Sequence, residues 1–317
     1  MEMRQLKTSK LGDTGMEITR VGFGAWAIGG GGWEFGWGPQ QDGESIGAIH
    51  RALELGVNWI DTAAAYGFGR SEEIVGQALR GVSERPYVFT KCSLLDDGTR
   101  HIRHVLKRDS IFREAEASLR RLGIDAIDLY QIHWPNPEED IEEGWSALAE
   151  LKEQGLVRHI GVSNFSTAQL RRIGAIAPVE TLQPPYSLID RDGEQTVLPY
   201  AEHEGIGVIV YSPMGSGLLT GGITRERIAA MPGDDWRKTD PQFTEPLLSE
   251  HLALAGRLRV VADRHETTPG AVAVAWTLRN PAVDGAITGF RRADQVDPIL
   301  AAANLDMTDQ DVSEIER

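Results

Sequence analysis

The chain has 317 residues, of which 41% are hydrophobic and 25% charged, a balance that excludes a disordered chain and supplies enough apolar material for a packed core. Its 47 acidic against 32 basic residues give a formal net charge of -15, which opposes long-range attraction to nucleic acid and to anionic membrane surfaces. A single cysteine, Cys92, excludes an intrachain disulfide and a cysteine-based metal cage.

No apolar run approaches the roughly 18 residues that would span a bilayer. The first residues, MEMRQLKTSKLG, lack the apolar stretch of a signal peptide, so a cytoplasmic location is expected. In chain order, residues 1–17 are expected to form a β-hairpin turned at Gly12 to Gly15 that closes the bottom of the fold. Eight short runs rich in Val, Ile and aromatic residues follow, at 18–26, 57–63, 87–92, 127–134, 157–163, 179–184, 207–213 and 285–289. Amphipathic stretches separate them. Ser71 reads as the opening of the helix SEEIVGQALR, and Thr167 precedes the helical pattern AQLRRIGAI. Gly56, Gly81, Gly123, Gly155 and Gly205 each stand between a helical pattern and a strand, where a left-handed backbone is expected.

Eight strands alternating with helices, with no Pro/Gly/Ser-rich linker, predict an α/β protein: one (β/α)8 TIM barrel over residues 1–317. An open doubly wound sheet is the structural alternative. Residues 218–247 carry no strand pattern and are rich in Gly, Pro and charge, so they are read as an insertion after the seventh strand that covers part of a ligand.

In such a barrel the chemistry gathers at the C-terminal ends of the strands. The second strand ends in Asp61, with Tyr66 in the loop beyond; the third ends in Lys91 and the fourth in His133. A tyrosine is a weak acid at neutral pH, and a neighbouring ammonium is expected to lower its pKa. Lys91 would supply that charge, Asp61 would balance Lys91, and His133 would hydrogen-bond a substrate carbonyl. Together the four would form a general acid for carbonyl reduction, or a base for the reverse oxidation. Singly, each has an ordinary structural reading: a loop tyrosine, an ion pair, a core histidine.

The segments WIDTAAAYG (59–67), FTKC (89–92), QIHWP (131–135), IGVSNF (160–165), LQPPYS (182–187) and VYSPMGSGLLTG (210–221) resemble the successive signatures of bacterial NADP(H)-dependent aldo-keto reductases. That resemblance implies a catalytic tetrad of Asp61, Tyr66, Lys91 and His133. It also implies that Ser163, Asn164 and Gln183 hold the nicotinamide carboxamide while Tyr211 stacks on the ring. Ser163 and Asn164 equally fit an N-cap pair for the next helix.

No GxGxxG fingerprint opens a βα unit, which removes a Rossmann reading. The resemblance assigns the pyrophosphate to Ser212, Pro213, Met214, Gly215, Gly217 and Leu218. It assigns the adenosine 2'-phosphate to Thr288, Gly289, Phe290 and Arg291, and the adenine to Gln295. A guanidinium matches phosphate geometry, so Arg291 favours NADP(H), with NAD(H) the weaker alternative. Where many relatives have Glu-Asn, this chain has Pro298 and Ile299, a departure at the adenine contacts that bears on how strict the preference is. Trp26, Trp33, Phe35, Trp37 and Trp134 are expected to wall the substrate pocket. The chain ends soon after its last helix pattern, without the long C-terminal loop of some relatives, which implies an open site.

The partner expected is a small aldehyde, ketone or alcohol, with no nucleic acid, membrane or metal. A metal-dependent hydrolase would need clustered His and carboxylate ligands at strand ends, where His133 stands alone. The alternative on the same barrel is an NADP(H)-binding regulatory or channel-associated subunit with little turnover.

Overall fold

The structure is a computed structural model that describes residues 5–317. The strands are β1 (Thr8–Lys10), β2 (Glu17–Thr19), β3 (Val21–Gly24), β4 (Trp59–Asp61), β5 (Tyr87–Cys92), β6 (Leu94–Asp96), β7 (Ile102–His104), β8 (Ile127–Ile132), β9 (Val157–Ser163), β10 (Thr181–Gln183), β11 (Gly207–Val210) and β12 (Gly285–Gly289). Eight of them, β3, β4, β5, β8, β9, β10, β11 and β12, pair in parallel and in that order around a closed barrel. They coincide with the eight apolar runs because a barrel strand is covered by helices outside and by its neighbours' side chains inside.

The helices that follow the strands include α1 (Asp42–Glu54), α2 (Arg70–Ala78), α3 (Arg108–Leu122), α4 (Ile141–Glu153), α5 (Thr167–Gly174) and α6 (Val197–Glu204). Beyond β11 lie the short α7 (Arg225–Ala229), then α8 (Leu247–Arg264) and α9 (Pro269–Thr277). All five glycines expected to be left-handed have positive φ, from 67° at Gly123 to 94° at Gly56.

Strand periodicity sorts the barrel interior into layers. Trp59, Phe89, Leu129, Ile209 and Ile287 form an apolar cluster in the lower barrel. Two residues further along the same strands stand Asp61, Lys91, Gln131 and Tyr211, because side chains repeat every second residue. Trp59 fits only because Gly22 faces it: a Cβ on Gly22 would lie 2.1 Å from the indole. Below, β1 and β2 form a hairpin over Thr8–Thr19, two residues past the expected 1–17, of which residues 1–4 lie outside the described ones, and Leu11, Met16 and Ile18 join the lower cluster. Gly12, at φ 48°, is wedged against Gly207 at the foot of β11, where a side chain would strike backbone at 2.4 Å.

Several local expectations are corrected. The first apolar run, 18–26, splits, with residues 18 and 19 in the hairpin strand β2 and only 21–24 in the barrel. Ser71 lies inside the first turn of α2, whose cap position is Gly69; its hydroxyl instead donates to the Ala25 carbonyl and pairs with Thr62, tying the helix to the barrel. At α5 the cap is Ser166, one residue before Thr167, in a capping box with Gln169. The antiparallel hairpin of β6 and β7 was not anticipated. Residues 218–247, which carry no strand pattern in the sequence, fold into short helical turns.

Candidate active site

The polar layer at the upper end of the barrel is one hydrogen-bonded unit. Lys91 Nζ, fully buried, donates to Asp61 Oδ2 at 2.6 Å and to the Thr62 carbonyl at 3.0 Å, and reaches the Tyr66 hydroxyl at 3.5 Å. Gln183 Nε2 donates to the other Asp61 oxygen at 2.8 Å. The Tyr66 and His133 rings meet edge to face with centroids 5.6 Å apart. The four residues thus come from four loops and strand ends onto one floor.

Burial sets the protonation states. It pushes the Tyr66 phenol well above its usual pKa, and the carboxylate of Asp61 and the neighbouring Tyr211 push the same way. The net shift is therefore upward, opposite to the expected lowering, because burial of the phenol outweighs what the Lys91 ammonium at 3.5 Å contributes. Burial also draws the Lys91 pKa down, with Asp61 opposing it. Burial and the charge of Lys91 hold His133 well below its usual value, so the imidazole is neutral. Its Nδ1 is buried without a partner.

From this floor a cleft of about 1010 Å³ runs across the top of the barrel. All five expected aromatics line it: Trp33 buried, Phe35 and Trp134 at the rim with 41% and 39% exposure, and Trp26 stacked 6.2 Å from Tyr66. On the other side lie Ser163, Asn164, Gln183 and Tyr211. Ser163 donates to the Gln183 carbonyl, and Asn164 donates to the His133 carbonyl and accepts from the Tyr211 hydroxyl at 2.8 Å. These bonds run between strand ends and replace the N-cap reading, since Ser166 caps α5. They also occupy both amide donors of Asn164, whose second goes to Ser163.

Past Tyr211 the wall is Ser212, Pro213, Met214 and Gly217, and the far end is Gly289, Phe290, Arg291 and Gln295, joined by Pro298 and Ile299. Ser212, Gly215, Ser216 and Gly217 all have positive φ. Three expected members sit elsewhere. Gly215 and Leu218 border a smaller cavity of about 410 Å³ behind that loop. Leu218 also packs with Ile223, Met231 and Phe243, an apolar side chain finding apolar neighbours. Thr288 turns away from the cleft, its hydroxyl donating to the Gly22 carbonyl across the barrel seam.

Arg291 is braced rather than paired. Its guanidinium donates to Gln40 Oε1 at 2.6 Å and to the carbonyls of Trp37 and Pro39, all neutral acceptors, so among the described residues no carboxylate cancels its charge by direct contact. Gln40 returns the bond through Nε2 to the Arg291 carbonyl. Gln40 was missed from sequence because nothing local marks a contact across 251 residues.

The other omission is the pair of side chains, Trp236 and Arg237, by which the segment 218–247 straps the cleft. The Trp236 N–H donates to the Gly36 carbonyl, its ring stacks on Trp26 at 5.3 Å, and Arg237 lies 4.2 Å over Trp37 while paired with Asp235. A Trp-Arg pair inside an otherwise polar insertion was the available signal. Among the described residues, no three His, Cys, Asp or Glu side chains are placed to hold a metal ion, and no helix is long and apolar enough to cross a membrane.

The arrangement has known counterparts. An aldo-keto reductase of Bacillus subtilis is 40% identical over 98% of this chain and 92% of its own length. The NADH-specific methylglyoxal reductase of Escherichia coli is 35% identical over 97% of each chain. The solved glycerol dehydrogenase of Gluconobacter oxydans superposes with a TM-score of 0.86 at 36% identity, covering 100% of this chain and 95% of that one. The model of the aldo/keto reductase family matches residues 20–317. With that match over nearly the whole chain, and an eight-stranded barrel carrying a buried Asp-Lys pair beneath a tyrosine and a histidine, this protein belongs to the aldo/keto reductase family.

Proposed function

We propose that the protein reversibly reduces small aldehydes or ketones to alcohols with NADP(H), NAD(H) serving as the weaker alternative, in the cytoplasm. What carries the reading is Tyr66 on the floor of a dinucleotide-sized cleft, its hydroxyl beside the buried Lys91–Asp61 pair. The bound nicotinamide would supply the hydride. Tyr66 gives its phenolic proton to the carbonyl oxygen, and the neutral His133 offers an N–H to the same oxygen. Lys91 stabilises the phenolate left behind, and Asp61, clamped by Gln183, keeps Lys91 charged. Ser163, Asn164, Gln183 and Tyr211 would orient the nicotinamide. Ser212, Pro213, Met214, Gly215, Gly217 and Leu218 would hold the pyrophosphate under the segment 218–247. Thr288, Gly289, Phe290, Arg291 and Gln295 would take the adenosine end, with Thr288 and Leu218 contributing backbone only.

The pKa direction at Tyr66 sets a pH signature. A phenol held above its usual value stays protonated through neutrality, so kcat for reduction should be level from about pH 6 to 9. Alcohol oxidation needs the phenolate, and its rate should rise with pH over the same range. A reductive kcat that fell with a midpoint below about pH 8 would remove Tyr66 as the acid.

Arg291 is tested by titrating the protein with NADPH and NADH while following fluorescence. Its uncancelled charge should make NADPH the tighter ligand, and Arg291→Ala should weaken NADPH about tenfold or more while changing NADH far less. Equal wild-type affinities, or an equal loss for both cofactors, would make the residue only a brace of the 37–40 segment.

A further inference from the structure

The substrate end of the cleft is built partly by the β6–β7 hairpin, which contributes Leu94, Ile102 and His104 to the wall. The hairpin is tied to the aromatic loop, since Ile102 N–H donates to Glu34 Oε2 at 2.8 Å and Glu34 N–H donates to the Arg100 carbonyl. It leaves β5 directly after Lys91 and Cys92, through Ser93, a non-glycine residue at φ 82°. Such a backbone persists only where its surroundings impose it. Here the imposing contacts are two: the Ser93 carbonyl accepts from Val105 N–H, closing the hairpin, and the Ser93 N–H donates to Glu114 Oε2 at 2.9 Å.

Glu114 stands on α3, 6% exposed, its other oxygen accepting from Ser110 at 3.0 Å. Among the described residues no cation forms an ion pair with it. Arg121, on the same helix, is bound to Glu72 of α2 at 2.6 Å, and Glu72 also accepts from Thr90. Cys92 of β5 and Tyr130 of β8 are the remaining titratable groups beside it, and burial holds both thiol and phenol well above their usual values, hence uncharged. Nothing in the proton transfer at Tyr66 uses this carboxyl group.

We propose that Glu114 is a positioning residue for the substrate end of the cleft: through Ser93 it holds the left-handed turn that sets the β6–β7 hairpin against the Trp33–Phe35 loop. Its hold is pH-dependent. Burial raises the Glu114 carboxyl from the ordinary 4.5 to about 7, with Glu72 adding to the rise and the bonds from Ser110 and Ser93 opposing it. A carboxyl that binds its proton more tightly in the closed structure than in an opened one loses closed-state stability as pH climbs from the lower value to the higher. The hairpin is therefore held most firmly below about pH 5 and more loosely above 7.

Hydrogen exchange of the amides of residues 94–105, corrected for intrinsic rates, tests this without any substrate. Protection in the wild type should fall by about tenfold or more between pH 5 and 7.5. In Glu114→Gln, which keeps the shape and has no proton to lose, the fall should disappear. Wild-type protection that is level with pH, or an unchanged fall in the variant, overturns the proposal.

A kinetic arm, resting on the reductase reading, uses saturating NADPH. Glu114→Ala should raise the aldehyde KM several-fold while leaving kcat and the NADPH affinity near wild type, and Glu114→Gln should remain close to wild type. An unchanged KM, or an equal loss of cofactor affinity, counts against positioning. Failure of the wild type to turn over any aldehyde would sink the reductase reading and leave the exchange result standing.

Discussion

Tyr66→Phe is expected to reduce aldehydes about 100- to 10,000-fold more slowly than the wild type, with NADPH affinity unchanged. The substitution removes one hydroxyl and leaves the ring, which stacks near Trp26 and meets His133 edge to face, so the floor keeps its shape. What disappears is the hydroxyl that stands beside both His133 and the Lys91–Asp61 pair. The loss should appear equally in kcat and kcat/KM, as for an interaction made in the transition state alone. Single-turnover oxidation of NADPH with an aldehyde in excess measures it directly. A variant that kept more than about a tenth of the activity would show that the proton comes from elsewhere.

The second large effect concerns stability as much as rate. Asp61 and Lys91 are 3% and 0% exposed in their side chains, and removing either partner leaves the other's charge in the barrel without compensation. Asp61→Asn and Lys91→Met should each cost about 3–5 kcal/mol, read as the midpoint and slope of urea unfolding. The double variant should recover much of that loss, because a neutral Asn beside a Met removes the charge imbalance along with the pair. Activity should not return, since the ammonium that steadies the Tyr66 phenolate is gone. Strictly additive losses would mean that the two side chains act independently despite their 2.6 Å contact.

The barrel was legible in the sequence for a physical reason: strands such as IDLYQI and VRHIGVS are enclosed, so they read as near-continuous apolar runs, and five glycines after helices mark returns to the sheet. The polar strand ends were legible for the complementary reason that Asp61, Lys91 and His133 interrupt or terminate those runs. The β6–β7 hairpin was hidden because each of its strands is three residues long and half polar.

The misplaced caps are a matter of one or two residues, where Ser71 and Thr167 look like starts but the backbone turns at Gly69 and Ser166. The direction of the Tyr66 pKa was hidden more deeply, since it is set by how completely the folded barrel mouth buries the phenol, with Asp61 and Tyr211 pushing the same way. Gln40 and Glu114 act over long separations that no local pattern records.

The hairpin below the barrel has a consequence for how such a molecule can change over generations. Leu11, Met16 and Ile18 fill the lower interior together with Trp59 and Phe89, and Asp284 pins Gly12 and Val208 by accepting both backbone N–H groups. None of these residues borders the cleft. The lower half can therefore accumulate changes judged only by durability, while the loops above are free to trade one small molecule for another. A lineage built this way can vary what it acts on without renegotiating how it folds.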